Sequence, residues 1–166
     1  LKFTLMNMTE KTVVASGLFE KIGIEGSCYT IKFNGEKKTI TTPLVDHSVA
    51  VKALMEELIN MNIISSLDEI EGVGHRMVHG GQEFTESVVL TEDVLDRVSK
   101  YNELAPLHNP ANIMGVRAFM KALPNTIQVG VFDTAFHTTM KATEYLYPVP
   151  YEWYEKYGVR KYGFHG

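Results

Sequence analysis

An α/β fold with a mixed sheet and flanking helices is predicted by three features of the chain. Two alternating runs, "SCYTIKF" and "KKTITT", bracket Asn34-Gly35, a strong hairpin signal. After this β region, helical periods alternate with short apolar runs. One of these runs, "TIQVGVF", ends directly on Asp133, and in open α/β sheets ligands gather beyond the carboxyl ends of strands.

The elements follow in order. "LKFTL" reads as the end of a strand, and residues 11–24 fit a strand or a short helix. Asp46 is the expected N-cap of a helix in "DHSVAVKALMEELINMNI", where Val51, Leu54, Met55, Leu58 and Ile59 recur at helical spacing. "GVGHRMVHGGQEF", Gly72 to Phe84, reads as a strand. Thr91 caps a second helix with Val94, Leu95, Val98 and Tyr101 on one face. "LAPLHNP" breaks it. Asn109 is expected to cap a third helix, with Pro110 at its first position, running to about Leu123. The last segment, "YPVPYEWYEKYGVRKYGFHG", is aromatic and loop-like, with a short helix near Tyr151–Tyr157. No internal repeat or low-complexity segment interrupts the pattern.

The bulk numbers narrow the function classes. A chain of 166 residues fits one domain, with room for a smaller lobe. Hydrophobic residues make up 45%, enough for a sizeable core. Sixteen basic against twenty acidic residues give a net charge of −4, without a basic stripe, so nucleic acid is set aside as a partner. No apolar run approaches the ~20 residues that span a bilayer, so no membrane partner is expected. "LKFTLMNMTEK" has no apolar stretch of signal-peptide length. Cys28 is the single cysteine, which rules out an internal disulfide and makes a reduced, cytoplasmic setting the simplest expectation. The chain opens on Leu1 inside a strand and stops at "GFHG", so both ends read as trimmed.

Candidate chemistry starts at "GHRMVHGG". His75 and His79 are spaced i and i+4, which could share a metal on a helix. The surrounding glycines argue for a strand instead, where four residues span roughly 13 Å at ~3.3 Å each and one ion cannot reach both. Strand alternation puts His75, Met77 and His79 on one face and Arg76 and Val78 on the other. An arginine fork beside a valine suits a small molecule with an anionic head and a short apolar tail. A surface arginine paired to a nearby acid fits the segment equally. Gly80-Gly81 allows close backbone approach or simply a turn. Asp133 can hold a metal, orient a nucleophile, or merely cap a turn. His108, between two prolines, can meet an anion near a helix start or bond to backbone. His137 reads as a loop histidine, and His165, in a glycine-flanked loop, is either functional or structural. No Walker-type phosphate loop, dinucleotide fingerprint, zinc cluster or serine-hydrolase elbow occurs.

Five blocks in order, "GHRMVHGGQEF", "LAPLHNPANIMGVRAF", "VGVFDTAFHTTM", "YLYPVPYEWY" and "YGVRKYGFHG", resemble the acetate kinase family over nearly the whole chain. The resemblance implies a ribonuclease H-like, actin-like ATPase domain. It further implies ATP-dependent phosphoryl transfer to acetate with Mg²⁺, giving acetyl phosphate and ADP, and running readily in reverse. It implies that Arg76 binds the substrate carboxylate or phosphoryl group and that Val78, Leu107 and Phe164 line the pocket for the methyl. Asp133 is implied as the acidic catalytic residue, with His165 stabilising the transition state and His108 supporting the same charge. Lys2 matches the lysine closing the family's N-terminal phosphate motif. The full-length enzyme is implied to be a homodimer whose metal ligands and nucleotide domain lie outside residues 1–166. The chain then corresponds to the N-terminal, acyl-substrate domain, expected to be inactive alone. Gln82 departs from the family's more usual residue after the double glycine, with no consequence expected.

Because a carboxylate nucleophile is already ionised near neutral pH, a strong general base is not needed, and an orienting or metal-linked role for Asp133 is favoured. Within the family, propionate and butyrate kinases are the alternatives. Outside it, the alternatives are a non-catalytic binding domain and a histidine metal hydrolase, the latter weak on spacing.

Overall fold

The computed structural model describes residues 1–164, which form two compact units. The first comprises Leu1–Glu71 and Arg117–Thr126, and the second takes in Gly72–Val116 and the chain from Ile127 onward.

The first unit holds a four-stranded antiparallel meander, β1 (Lys2–Asn7), β2 (Thr12–Glu20), β3 (Cys28–Phe33) and β4 (Glu36–Thr41), in sequence order. Residues 11–24, ambiguous in sequence, are strand over Thr12–Glu20 because β1 and β3 pair with them on either side. The expected hairpin forms at Asn34-Gly35, where φ is +50° and +75°, the pair of left-handed residues that a type I′ turn requires. Ala15, Phe19, Tyr29 and Ile31 are buried, and the Phe19 and Tyr29 rings stack with centroids 4.8 Å apart. Gly17 is required by close approach, since a Cβ there would lie 2.5 Å from the Thr30 carbonyl oxygen.

Helix α1 (His47–Asn60) starts where Asp46 accepts a hydrogen bond from the Val49 amide at 2.8 Å, as the cap pattern predicts. Its buried face carries Ala50, Val51, Leu54, Met55 and Leu58. Glu57 is buried on this helix too, and is satisfied twice. Tyr29 Oη donates to Oε1 at 3.0 Å, and Lys38 Nζ donates to Oε2 at 2.6 Å. A buried carboxylate persists only when paired in this way.

The second unit holds β5 (Gly72–Met77), β6 (Val88–Val89) and β7 (Ile127–Phe132), in spatial order β5-β7-β6. β5 runs parallel to β7, and β6 antiparallel, so this sheet is the mixed one. The described residues thus make two sheets rather than one. Helix α2 (Glu92–Ser99) is capped by Thr91 and buries Val94, Leu95 and Val98. Helix α3 (Asn109–Ala122) contributes its first part to this unit and its last to the other. Phe84 and Phe132 stack at 4.9 Å in the core. Two short helices follow, α4 (Ala142–Tyr145) and α5 (Glu152–Tyr157). No helix among the described residues is long and apolar enough to cross a membrane.

Two sequence expectations are corrected. β5 ends at Met77 rather than running on towards Phe84, because side chains take over the backbone amides from Val78 onward. Asn109 is not a cap. It is the first residue of α3, and its side chain reaches back to β5's exit.

Glu57→Ala should cost about 1–3 kcal/mol, the scale of leaving a buried donor unpaired, seen as a lower urea midpoint at unchanged slope. Burial first, then Glu57, pushes the Tyr29 phenol from its ordinary 10 up to about 12. The fold therefore favours neutral Tyr29. That stabilisation is complete below pH 10 and is lost as pH rises through about 12. Tyr29→Phe should flatten the alkaline limb of a stability–pH curve.

Candidate functional site

Four consecutive amides leaving β5 are bonded by side chains. Val78 N–H donates to Asn112 Oδ1 at 3.1 Å, and His79 N–H to Asn109 Oδ1 at 3.0 Å. Gly80 N–H donates to Thr134 Oγ1 at 3.0 Å, and Gly81 N–H to His79 Nδ1 at 3.0 Å. Asn109, fully buried, also donates from Nδ2 to the His79 carbonyl at 2.9 Å, so its amide mimics one rung of a sheet. Gly81 sits at φ +60°, and any side chain there would strike the Tyr101 ring.

This scaffold follows the two parallel strands whose ends carry charge. Arg76 is in register with Val131, and Met77 with Phe132, so Arg76 and Asp133 meet at adjacent carboxyl ends. Arg76 Nε lies 3.0 and 3.2 Å from the Asp133 carboxylate oxygens, and Nη2 lies 2.8 Å from Oδ2. The Arg76 side chain is 74% exposed and that of Asp133 18%. Hydrogen bonding to Asp133, then its charge, holds the guanidinium above its ordinary range. Of the two readings that the sequence left open, the structure shows the ion pair, with Asp133 as the acid.

Val78 is buried where Arg76 is exposed. Strand alternation fails to put them side by side, since the strand ends between them. Val78 instead lines a cavity of about 390 Å³ together with His108, Tyr147, Arg160, Tyr162 and Phe164. Three candidates from the sequence, Val78, His108 and Phe164, therefore share one space. Leu107 does not line it and is 85% exposed. Lys2 is exposed on β1, in the other unit. His165 lies outside the described residues.

The histidines of β5 and its exit are internal. His75 Nε2 is 2.7 Å from Gln128 Oε1. His79 is buried, with its ring edge-on to Tyr162 at 4.5 Å between centroids. Burial lowers the pKa of both. The neutral form of His79 is also what its contact needs, because Nδ1 accepts from Gly81. His137 packs against the Phe136 ring and lies where a Cβ on Gly163 would fall, so the chain beside Phe164 rests on the turn that carries Asp133. Among the described residues no three His, Cys, Asp or Glu side chains cluster in a way that suits a metal ion.

Sequence reasoning missed Asn112, Thr134, Tyr162 and Arg160. Asn109 and Asn112 stand three apart on one helix, a spacing that places two amides on the same face. That signal was available, and the cap reading of Asn109 masked it.

The profile of the acetokinase family matches residues 1–166. The chain is 56% identical to the acetate kinase of Shouchella clausii and 55% identical to that of Bacillus subtilis, each over 166 residues. It spans 42% of the length of these curated relatives. It superposes on the crystal structure of Porphyromonas gingivalis acetate kinase with a TM-score of 0.92 at 45% identity. A propionate kinase from Francisella tularensis gives 0.91 at 37% identity. Both comparisons cover 99% of this chain and 42% of the solved one.

Neutral His75 and His79 are favoured by the fold, so their stabilisation is complete above the ordinary 6.5 and is lost as pH falls through their lower folded values. Histidine titrations by NMR should place both midpoints below 6.5, with the amide resonances of Gly80 and Gly81 moving alongside that of His79.

Proposed function

The chain belongs to the acetokinase family, and on that premise we propose that the whole protein transfers the γ-phosphoryl group of ATP to acetate. An acetate oxygen bonds to the γ-phosphorus, the bond to the β-phosphate oxygen breaks, and acetyl phosphate and ADP result. The reverse reaction uses the same contacts. This chain supplies the acyl-substrate side.

The observation that carries the proposal is the Arg76–Asp133 pair at the ends of β5 and β7, two residues before the cavity wall at Val78. Phosphoryl transfer asks mainly for positioning and neutralisation of charge on oxygens. Asp133 engages Nε and one Nη of Arg76, fixing the plane of the guanidinium. The remaining Nη hydrogens of an exposed arginine stay available to a carboxylate or phosphoryl oxygen. Asp133 serves here by orienting Arg76. It has no need to deprotonate acetate, which is ionised near neutral pH.

In this proposal Val78 and Phe164 receive the acetate methyl, and His108 faces the developing charge from the same cavity. By family resemblance His165 shares that role, and Lys2 belongs to the phosphate side. Leu107 would join the methyl pocket only after moving from its exposed position. ATP is the phosphoryl donor expected of the family, and Mg²⁺ would neutralise its phosphates. By family resemblance the residues that would hold Mg²⁺ lie outside residues 1–166, and among the described residues no three His, Cys, Asp or Glu side chains group as a metal site.

Acetate is favoured over propionate by the relatives. Those of higher identity are acetate kinases, and the propionate kinase stands at 37%. Backbone similarity does not discriminate, since the two solved structures superpose equally well.

In the whole protein, Arg76→Ala should lower kcat/KM for acetate by at least ~10²-fold, the scale of one lost preorganised charged contact. A loss under about threefold would sink the role given to Arg76. A substrate series from acetate to butyrate would overturn the acetate reading if kcat/KM rose with chain length.

A further inference from the structure

A second cavity, of about 590 Å³, lies between α1 and the end of α3, with all of its lining in the first unit. That volume falls within the roughly 300–1,000 Å³ of small-molecule sites and exceeds the 390 Å³ of the candidate acyl cavity. Its shape follows from the faces that the two helices present. α1 packs Val51, Leu54 and Leu58 into the core, and lines the cavity with Val49, Met55 and Ile59. α3 contributes Ala118 and Ala122, one turn apart, so this wall is close to bare helix backbone. Leu67, from the 3-10 turn Leu67–Glu69, completes an aliphatic lining.

The lining decides what kind of tail fits. None of the residues that form it is aromatic, whereas Tyr147, Tyr162 and Phe164 line the acyl cavity. A flat ring finds no stacking partner between these helices. An unbranched alkyl chain fits between aliphatic walls, and the flexible thioether of Met55 can follow its shape. The α1 lining runs from Ser48 to Asn60, about 18 Å at ~1.5 Å per residue, so the groove suits a long chain rather than a short one.

The rim decides what kind of head group fits. Lys52 and Glu56 stand at i and i+4 on α1, 3.8 Å apart, and balance each other. Lys121 stands on α3, and among the described residues no carboxylate lies within ion-pair distance of it. The rim therefore carries one uncompensated positive charge. Both lysines are exposed, and a lysine stem can lie along apolar surface while its ammonium stays in water. A lysine is a point charge rather than a fork, so a single negative charge matches it. A phosphate monoester would bring further negative charge beside Glu56 with nothing to meet it.

We propose that this groove binds a free medium-chain aliphatic carboxylate, with its tail between Met55, Ile59, Ala118 and Ala122 and its head at Lys121. The proposal does not rest on the acetate reading, since the groove shares no lining residue with the acyl cavity.

The test titrates the whole protein, labelled at methionine methyls and phenylalanine rings with ¹³C, with decanoate below its micellar concentration. The Met55 methyl resonance should shift saturably, and calorimetry should show one equivalent bound. Octanoate should bind roughly tenfold more weakly, since each buried methylene is worth about a factor of four. Decylammonium, with the same tail and the opposite charge, should bind at least roughly threefold more weakly, the scale of an exposed charge pair. Ala122→Leu fills the slot and Lys121→Glu reverses the charge at the head. Each should weaken decanoate roughly threefold or more, with the rest of the methyl spectrum unchanged. If Ala122→Leu fails to fold, the exposed Lys121→Glu carries the test alone. A Phe164 shift without a Met55 shift would put decanoate in the acyl cavity and overturn the proposal. Equal affinity for decylammonium, an unaltered affinity in Lys121→Glu, or a Met55 shift seen only with anionic lipid vesicles would overturn it as well.

Discussion

Every feature of the candidate site depends on how the chain leaves β5. A strand at the edge of a parallel pair could continue, be covered, or have its amides bonded by something else. Here the third solution operates over four residues in succession, Val78 to Gly81, with Asn112, Asn109, Thr134 and His79 as acceptors. The burial of His79, Asn109 and Thr134 makes this obligatory, because an unmet amide in such surroundings costs as much as a lost hydrogen bond. The acceptors come from α3, from the turn after β7 and from the segment itself. One stretch of backbone is thereby tied to three parts of its unit.

That tie explains why the chemistry-bearing groups assemble where they do. Thr134 is the residue after Asp133, so the bond fixing Gly80 also fixes the turn that presents the Asp133 carboxylate. Asn109 is the residue after His108, so the bond fixing His79 also sets where His108 enters the cavity. The candidate side chains Asp133 and His108 stand next in sequence to structural ones, each borrowing the other's position. Groups held this way keep their geometry when substrate is absent, which is what preorganised electrostatics requires.

What the sequence made legible was local. The turn at Asn34-Gly35 and the caps at Asp46 and Thr91 are decided within a few residues, and they form as their chemistry dictates. Asp133 was visible because it ends an apolar run. The identity of β2 was not visible, because strand pairing on both sides, rather than its own pattern, selects it. The end of β5 was hidden for the same reason. The acceptors that take over from Val78 to Gly80 lie 30 to 54 residues away, and a period-2 pattern cannot announce them. Val78, His108 and Phe164 were singled out together by resemblance, and the cavity does bring them together. Leu107 was named with them and stands outside it.

The exposure of Arg76 points to what the Asp133 pair is for. An ion pair with one partner largely in water adds little to stability, because solvent and salt screen it. Its contribution is direction. Unpaired, a long exposed side chain samples many rotamers and must give up that freedom on binding an anion. Paired at Nε and Nη2, the guanidinium has already given it up, and its free edge faces away from Asp133. The carboxylate also balances the formal charge of the guanidinium. Under the proposed function, an anion is then chosen by how its oxygens fit the remaining fork and its carbon end an apolar wall, which is the kind of selection a short-chain carboxylate site needs.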